Sequence, residues 1–276
     1  MAAPETLHPP EIVLDLTYVP IVVYSFILCG IALCVSPYLS WWFVPTYRNI
    51  SIYERYDWNS RILSMFHAIL VSSLAVYSFL FDVPTFEDKI WGTSFIPRAT
   101  IAVTTGYITA DMILMFVGFP IKESIFYILH HLAVASAFTA NVLYGPLTYF
   151  GNIRVIAEAS TPFVNLRWML YLLGYKDTKL YLYNGFVMLG VFFAVRVGIL
   201  PIFYYYMLRS FFIEGFQRLQ LWMTLTCLTC SVGLDTINMY WFFKMARGAY
   251  RMLKKKSTAK DKTASNDRTD SHIKGQ

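Results

Sequence analysis

The sequence predicts an all-α protein, a polytopic bundle of membrane-spanning helices, and three observations carry that expectation. Apolar residues make up 57% of the 276 positions and charged residues only 14%, whereas an average soluble domain carries about 25% charge. Mean hydropathy is +0.48 over the whole chain. The chain also divides into seven apolar segments close to the roughly 20 residues that one span requires.

The segments follow in order. Leu16 to Tyr47 carries no formal charge and holds a first span at about 18–36 with a Trp-rich exit. Glu5, Glu11 and Asp15 precede it without any basic residue. A cleaved signal peptide has a positive start, so the first span is expected to stay uncleaved. Ile62–Phe81 forms the second and Ala99–Val117 the third, interrupted by Asp111. Ser124–Asn141 is the fourth and Leu147–Trp168 the fifth and most polar. Tyr181–Leu208 is the sixth, with a kink expected at Pro201, and Leu219–Phe243 the seventh. A re-entrant fifth segment would reduce the count to six.

Charge sets the orientation. Through residue 246 the chain holds fourteen Lys/Arg and fourteen Asp/Glu; residues 247–276 hold nine bases and three acids. The net +6 therefore belongs to the C-terminal thirty residues. Nucleic acid is excluded as the reason for it: this is a short basic tail at a membrane surface, where each Lys or Arg near anionic lipid contributes about 1 kcal/mol. Basic segments stay cytosolic, so seven spans put the tail in the cytosol and the acidic N-terminus in the lumen. Residues 256–276 are too polar to bury a core and are expected to be disordered. The four cysteines lie in apolar runs. Cys227-x-x-Cys230 lacks the second ligand pair that a zinc site needs, so no metal is expected.

Ionisable groups within spans are costly and face the bundle interior, which makes them the informative residues. They are His67, Asp111, His130, His131, Arg154, Glu158, Asn165, Arg196, Asp235 and Asn238. His130 and His131 stand about 100° apart on a helix, so one can meet a substrate while the other is oriented by a second helix; histidine serves as base or nucleophile near neutral pH. In the fifth segment Arg154 and Glu158 stand at i,i+4 and are expected to pair, while Thr161 and Asn165 continue the Glu158 face. Pro162 leaves the carbonyl of Glu158 without its helical donor. Asp111 can accept from Tyr107 or from another helix. The short turn at Gly145-Pro146 makes segments four and five antiparallel neighbours, with His131 and Glu158 at similar depth and within hydrogen-bond or one-water reach. Candidate catalytic residues are thus His130, His131 and Glu158; candidate substrate-binding residues are His67, Asp111, Thr161, Asn165, Asp235 and Asn238. A structural polar seam of interhelical hydrogen bonds remains the alternative reading.

These residues resemble the TLC-domain family, which includes the translocating-chain-associated membrane protein and the ceramide synthases. The resemblance runs from about Tyr53 to Lys255. It rests on Trp58-Asn59-Ser60-Arg61 with His67, on Gly106-Tyr107 with Asp111, on His130-His131, on the string from Glu158 through Ser160-Thr-Pro-Phe-Val-Asn-Leu-Arg-Trp168, and on Asp235, Asn238 and Trp241. It implies a six-helix lipid-binding domain over 53–255, preceded by residues 1–52 with one extra span and followed by the tail, in the endoplasmic reticulum or a related membrane. Where ceramide synthases carry two aspartates and a glutamate, this chain has Glu158, Thr161 and Asn165. The loss of two acids weighs against acylation of a cationic sphingoid base. Lipid homeostasis through lipid binding in the bilayer, without a cofactor and with membrane lipids as partners, is therefore the expected function. An acyltransferase with acyl-CoA as substrate is the alternative, and a transporter a weaker one.

Overall fold

The computed structural model describes residues 12–117, 125–210 and 219–273. Ten α-helices account for most of them: α1 (Val19–Phe43), α2 (Ile52–Phe81), α3 (Val83–Glu87), α4 (Phe95–Val117), α5 (Ile125–Tyr144), α6 (Thr148–Ile156), α7 (Thr161–Leu172), α8 (Lys179–Phe192), α9 (Leu200–Leu208) and α10 (Leu221–Ile273). The polytopic helical bundle expected from composition is what these residues form. Five stretches are long and apolar enough to cross a membrane: α1, α2, α4, α5 and the run Lys179–Leu208. The expected fifth and seventh segments correspond to α6–α7 and the start of α10, and carry Arg154, Glu158 and Asp235 in mid-course.

Six helices close a ring. α2 packs on α4, α4 on α5, α5 on α10, α10 on α8, α8 on α7, and α7 back on α2. α1 lies outside the ring against α4 and α2, and α6 packs between α2 and α4. The α1–α4 contact is close because Gly106 has no side chain: a Cβ there would stand 2.7 Å from Ser25 Cβ and overlap the Val22 carbonyl. Asp15, ahead of α1, bonds Arg98 at the start of α4. Its amide donates to the Leu143 carbonyl at the end of α5 (2.7 Å). That end of the bundle is opposite the one carrying Tyr53 and Lys244.

Local chemistry explains the helix limits. Ser51 and Glu54 form a reciprocal capping box, so α2 starts ten residues before the apolar run that announces it. The α5–α6 turn uses left-handed backbone at Gly145 (φ 88°) and Leu147 (φ 65°), with Asn141 Nδ2 donating to the Pro146 carbonyl at 2.9 Å and to Thr148 Oγ1 at 3.0 Å.

Two interruptions matter for the site. Pro162 cannot donate to the Glu158 carbonyl, and the Thr161 amide takes that carbonyl instead. The result is a 3₁₀ turn over Ala157–Ser160 between α6 and α7, so the acceptor expected to be left free is occupied. Eight residues before Pro201 the chain widens into a π-helical segment, Phe193–Gly198. The two interruptions pack against each other. At the C-terminus α10 continues to Ile273 without an intervening proline or glycine after Gly248, where disorder is the expectation for 256–276.

Candidate functional site

The helix ring encloses a cavity of about 620 Å³. Every ring helix or its adjoining turn contributes to the wall: Ser60 and Arg61 from α2, Tyr107 and Asp111 from α4, His130 and His131 from α5, Glu158 and Asn165 around α7, Phe192 and Arg196 at the end of α8, and Trp241 and Lys244 from α10. Ile108, Leu114, Met115, Val164 and Phe192 give it apolar surface. Its size falls in the roughly 300–1,000 Å³ range of small-ligand pockets.

His131 is held on both ring nitrogens. Nδ1 lies 2.8 Å from the Tyr127 carbonyl, one turn back, and Nε2 lies 2.9 Å from Asp111 Oδ2. A carbonyl only accepts, so Nδ1 carries a hydrogen. Ser60 Oγ donates to the other Asp111 oxygen at 3.3 Å. Asp111 therefore finds its partners on other helices, α2 and α5.

His130 has a different environment. Its ring packs 5.5 Å from Trp241 and 5.7 Å from His131, and its Nδ1 is buried without a hydrogen-bond partner among the described residues. The two histidines thus differ: one is fixed by a carboxylate, and the other keeps a buried ring nitrogen unbonded among the described residues.

Glu158 faces the same cavity from the 3₁₀ turn. Thr161 Oγ1 donates to its Oε2 at 2.8 Å, and Arg196 Nη2 stands 3.7 Å from Oε1. Arg196, buried in the π segment, also donates Nε–H to Ser160 Oγ (2.9 Å) and Nη1–H to Asn238 Oδ1 (3.0 Å). Asn165 accepts from Arg61 Nη1 at 3.0 Å, and the Arg61 guanidinium lies 4.6 Å over the Trp168 ring.

Several expectations need correcting. Arg154 does not pair with Glu158; it makes two bonds to Asp235 on α10, at 2.5 and 3.0 Å, and Tyr204 Oη donates to the same carboxylate at 2.6 Å. The physical reason is the 3₁₀ turn. Its residues advance about 120° each where α-helical residues advance about 100°, which roughly doubles the angular offset between positions 154 and 158. His131 and Glu158 share the cavity, but their bonds go to Asp111 and to Thr161 and Arg196 in place of each other. Of the candidate residues, His130, His131, Glu158, Asp111, Thr161 and Asn165 line the cavity. His67 stacks on the far side of Tyr107, with ring centroids 3.9 Å apart, Asn238 holds Arg196, and Asp235 belongs to the Arg154 pair. Sequence reasoning missed Ser60, Arg61, Tyr127 and Lys244 as lining residues. The helical spacing of α2, α5 and α10 was the available signal for them. Among the described residues no group of His, Cys, Asp and Glu is arranged to hold a metal ion.

A model of the TLC domain matches residues 57–247. The chain belongs to the TLC domain family. The matched range takes in α4, α5, α7 and α8 whole, all but the first turn of α2, the first half of α10 and nearly the whole cavity wall. The chain is similar to TLC domain-containing protein 4-B of Xenopus laevis, with 36% identity over 232 residues, 84% of this chain and 88% of that one. Similarity to the 4-B protein of Danio rerio is 34% over 266 residues, covering 93% and 100%. The human TLC domain-containing protein 4 is 33% identical over 221 residues, covering 78% and 84%. The residues that carry the TLC resemblance have physical tasks here. Trp58 Nε1 donates to Ser40 Oγ at 3.1 Å and Asn59 Nδ2 to Tyr47 Oη at 2.8 Å, fixing the start of α2 against the end of α1, while Gly106 permits the α1–α4 approach.

Proposed function

We propose that this multi-pass membrane protein takes a lipid into the ring cavity and acts on the lipid composition of its bilayer. The observation that carries this reading is the cavity itself, which joins apolar walls to a polar wall built from His130, His131–Asp111 and Glu158–Arg196. An amphiphile satisfies both kinds of surface at once. Placement in the endoplasmic reticulum, with the basic tail cytosolic, belongs to the same proposal and draws support from family membership and from the tail's charge.

A second reading is acyl transfer, favoured by one specific observation: the His131 ring is oriented by a carboxylate, and the neighbouring His130 keeps a ring nitrogen unbonded among the described residues. That arrangement suits a general base and its neighbour. Lipidomics of cells expressing wild type or the His130→Ala/His131→Ala variant tests the first reading. A changed lipid profile that depends on the histidines supports it; identical profiles in cells with and without the wild type refute it. Incubation of purified protein with labelled acyl-CoA separates the two, since turnover is expected only if acyl transfer occurs.

A further inference from the structure

His130 apart, the charged groups deep in the cavity wall are held by neighbours: Asp111 by His131 and Ser60, Glu158 by Thr161 and Arg196, Arg61 by Asn165 and Trp168. Acids and bases alternate there, so the interior offers hydrogen bonds without a large excess of either charge. The rim is different. Lys244 lines the cavity, is solvent-exposed, and has no hydrogen-bond or ion-pair partner among the described residues. Arg247 and Arg251 follow at i+3 and i+7 on α10, both exposed and both without a partner of that kind among the described residues. That spacing puts the three cations on one side of the helix, in a stripe that runs outward from the cavity. Tyr53 and Tyr240 complete the exposed part of the rim.

A cation on the rim of a lipid-sized cavity at the end of a bundle selects for an anion at headgroup level. We infer that Lys244 seats the phosphate of an anionic phospholipid drawn from the surrounding leaflet, guided along Arg247 and Arg251, while uncharged ester or hydroxyl groups of the same molecule meet the charge-compensated interior. This deepens the proposed lipid-binding function and rests on it. The chemistry is charge complementarity: an ammonium near anionic lipid contributes about 1 kcal/mol, or roughly a fivefold preference.

The test uses the purified full-length chain in detergent micelles, incubated with an equimolar mixture of phosphatidylcholine, phosphatidylserine and phosphatidic acid. Bound lipid is quantified by native mass spectrometry. The two anionic lipids are expected to be enriched over phosphatidylcholine. Lys244→Gln should reduce that enrichment about fivefold and Lys244→Arg should restore it. Millimolar inorganic phosphate should leave the lipid in place. Equal retention of zwitterionic and anionic lipid overturns the headgroup inference while leaving lipid binding intact. Unchanged enrichment in Lys244→Gln, with loss only in Arg247→Gln/Arg251→Gln, moves the contact to the outer surface and also overturns it. Displacement of the lipid by inorganic phosphate would mark a free-anion site and does the same. No lipid retained by any variant refutes the lipid-binding reading itself. Lys244→Gln lies at an exposed position, and an unchanged thermal midpoint confirms that its fold is intact.

Discussion

Replacing Asp235 with alanine should be far more damaging to the fold than replacing Glu158, although Glu158 is the local helical neighbour of Arg154. Arg154 and Asp235 are joined by two bonds, with side-chain exposures of 15% and 9%. Tyr204 Oη donates to the same carboxylate at 2.6 Å, and the Arg154 guanidinium stacks 3.9 Å from the Phe203 ring centre. Asp235→Ala strands a guanidinium in a low-dielectric interior, and breaking such a pair costs about 3–5 kcal/mol. Loss of the Tyr204 bond adds about 1 kcal/mol. Glu158→Ala removes one hydrogen bond and a 3.7 Å ion pair, while Arg196 keeps Ser160 and Asn238. Its cost should be about 1–2 kcal/mol.

Chains of this size shift their thermal midpoint by about 2–4 °C per kcal/mol. Asp235→Ala should then lower the midpoint of the purified protein by roughly 8–24 °C and Glu158→Ala by roughly 2–8 °C. Thermal unfolding followed by size-exclusion chromatography in one detergent measures both. The double variant Arg154→Met/Asp235→Leu removes both charges and should recover much of the loss. Equal midpoints for the two single variants, or a smaller loss for Asp235→Ala, would refute the pairing on which the reasoning rests.

Two further outcomes are expected. The Asp15 carboxyl is held down from 3.8 to about 2 by the hydroxyl and amide of Thr17, and then by Arg98. Its stabilisation is therefore fully present above about pH 4 and lost as pH falls through 2; discounted for an exposure of 33%, it amounts to about 1 kcal/mol. Asp15→Asn should lower the unfolding midpoint by a few degrees at pH 6, with the difference from wild type closing near pH 2, and a constant difference across that range would count against a carboxylate held by Thr17 and Arg98. Gly106→Ala should cost about 1–3 kcal/mol through overpacking of α1 on α4, because its Cβ meets the Val22 carbonyl and Ser25; an unchanged midpoint would show that α1 moves freely away from the ring.

Composition made the membrane bundle legible because apolarity is a sum over residues and needs no knowledge of partners. The candidate residues were legible for a related reason: a polar group in an apolar run has to face inward, and His130, His131, Asp111, Glu158, Thr161 and Asn165 do meet in one cavity. Partner choice was not legible. The Arg154–Asp235 pair joins positions 81 residues apart, and only the closure of the ring by α10 against α5 and α8 brings them together. The N-terminal turns of α2 were hidden because Arg55, Asp57 and Arg61 break the apolar run, although Ser51 with Glu54 is a capping signal that identifies the start.

The two helix interruptions explain why the charges are distributed as they are. An uninterrupted α-helix through 148–172 would place Glu158 about 40° from Arg154, close enough for the two to neutralise each other. That pair would leave Asp235 without its guanidinium and Arg196 without its carboxylate. Pro162 prevents this by denying the Glu158 carbonyl its normal donor, and the 3₁₀ turn that follows swings the carboxylate toward the cavity. The π segment before Pro201 carries the answering charge, Arg196, on the facing stretch of chain. Each proline therefore acts through the backbone groups ahead of it. Together they separate two acids and two arginines into one pair that ties α6 to α10 and one loose pair, 3.7 Å apart, that faces the cavity. A tight pair resists exchange with a ligand's own donors and acceptors, whereas a loose one admits it. Under the proposed lipid-binding function, that difference assigns Glu158–Arg196 to the ligand and Arg154–Asp235 to the frame.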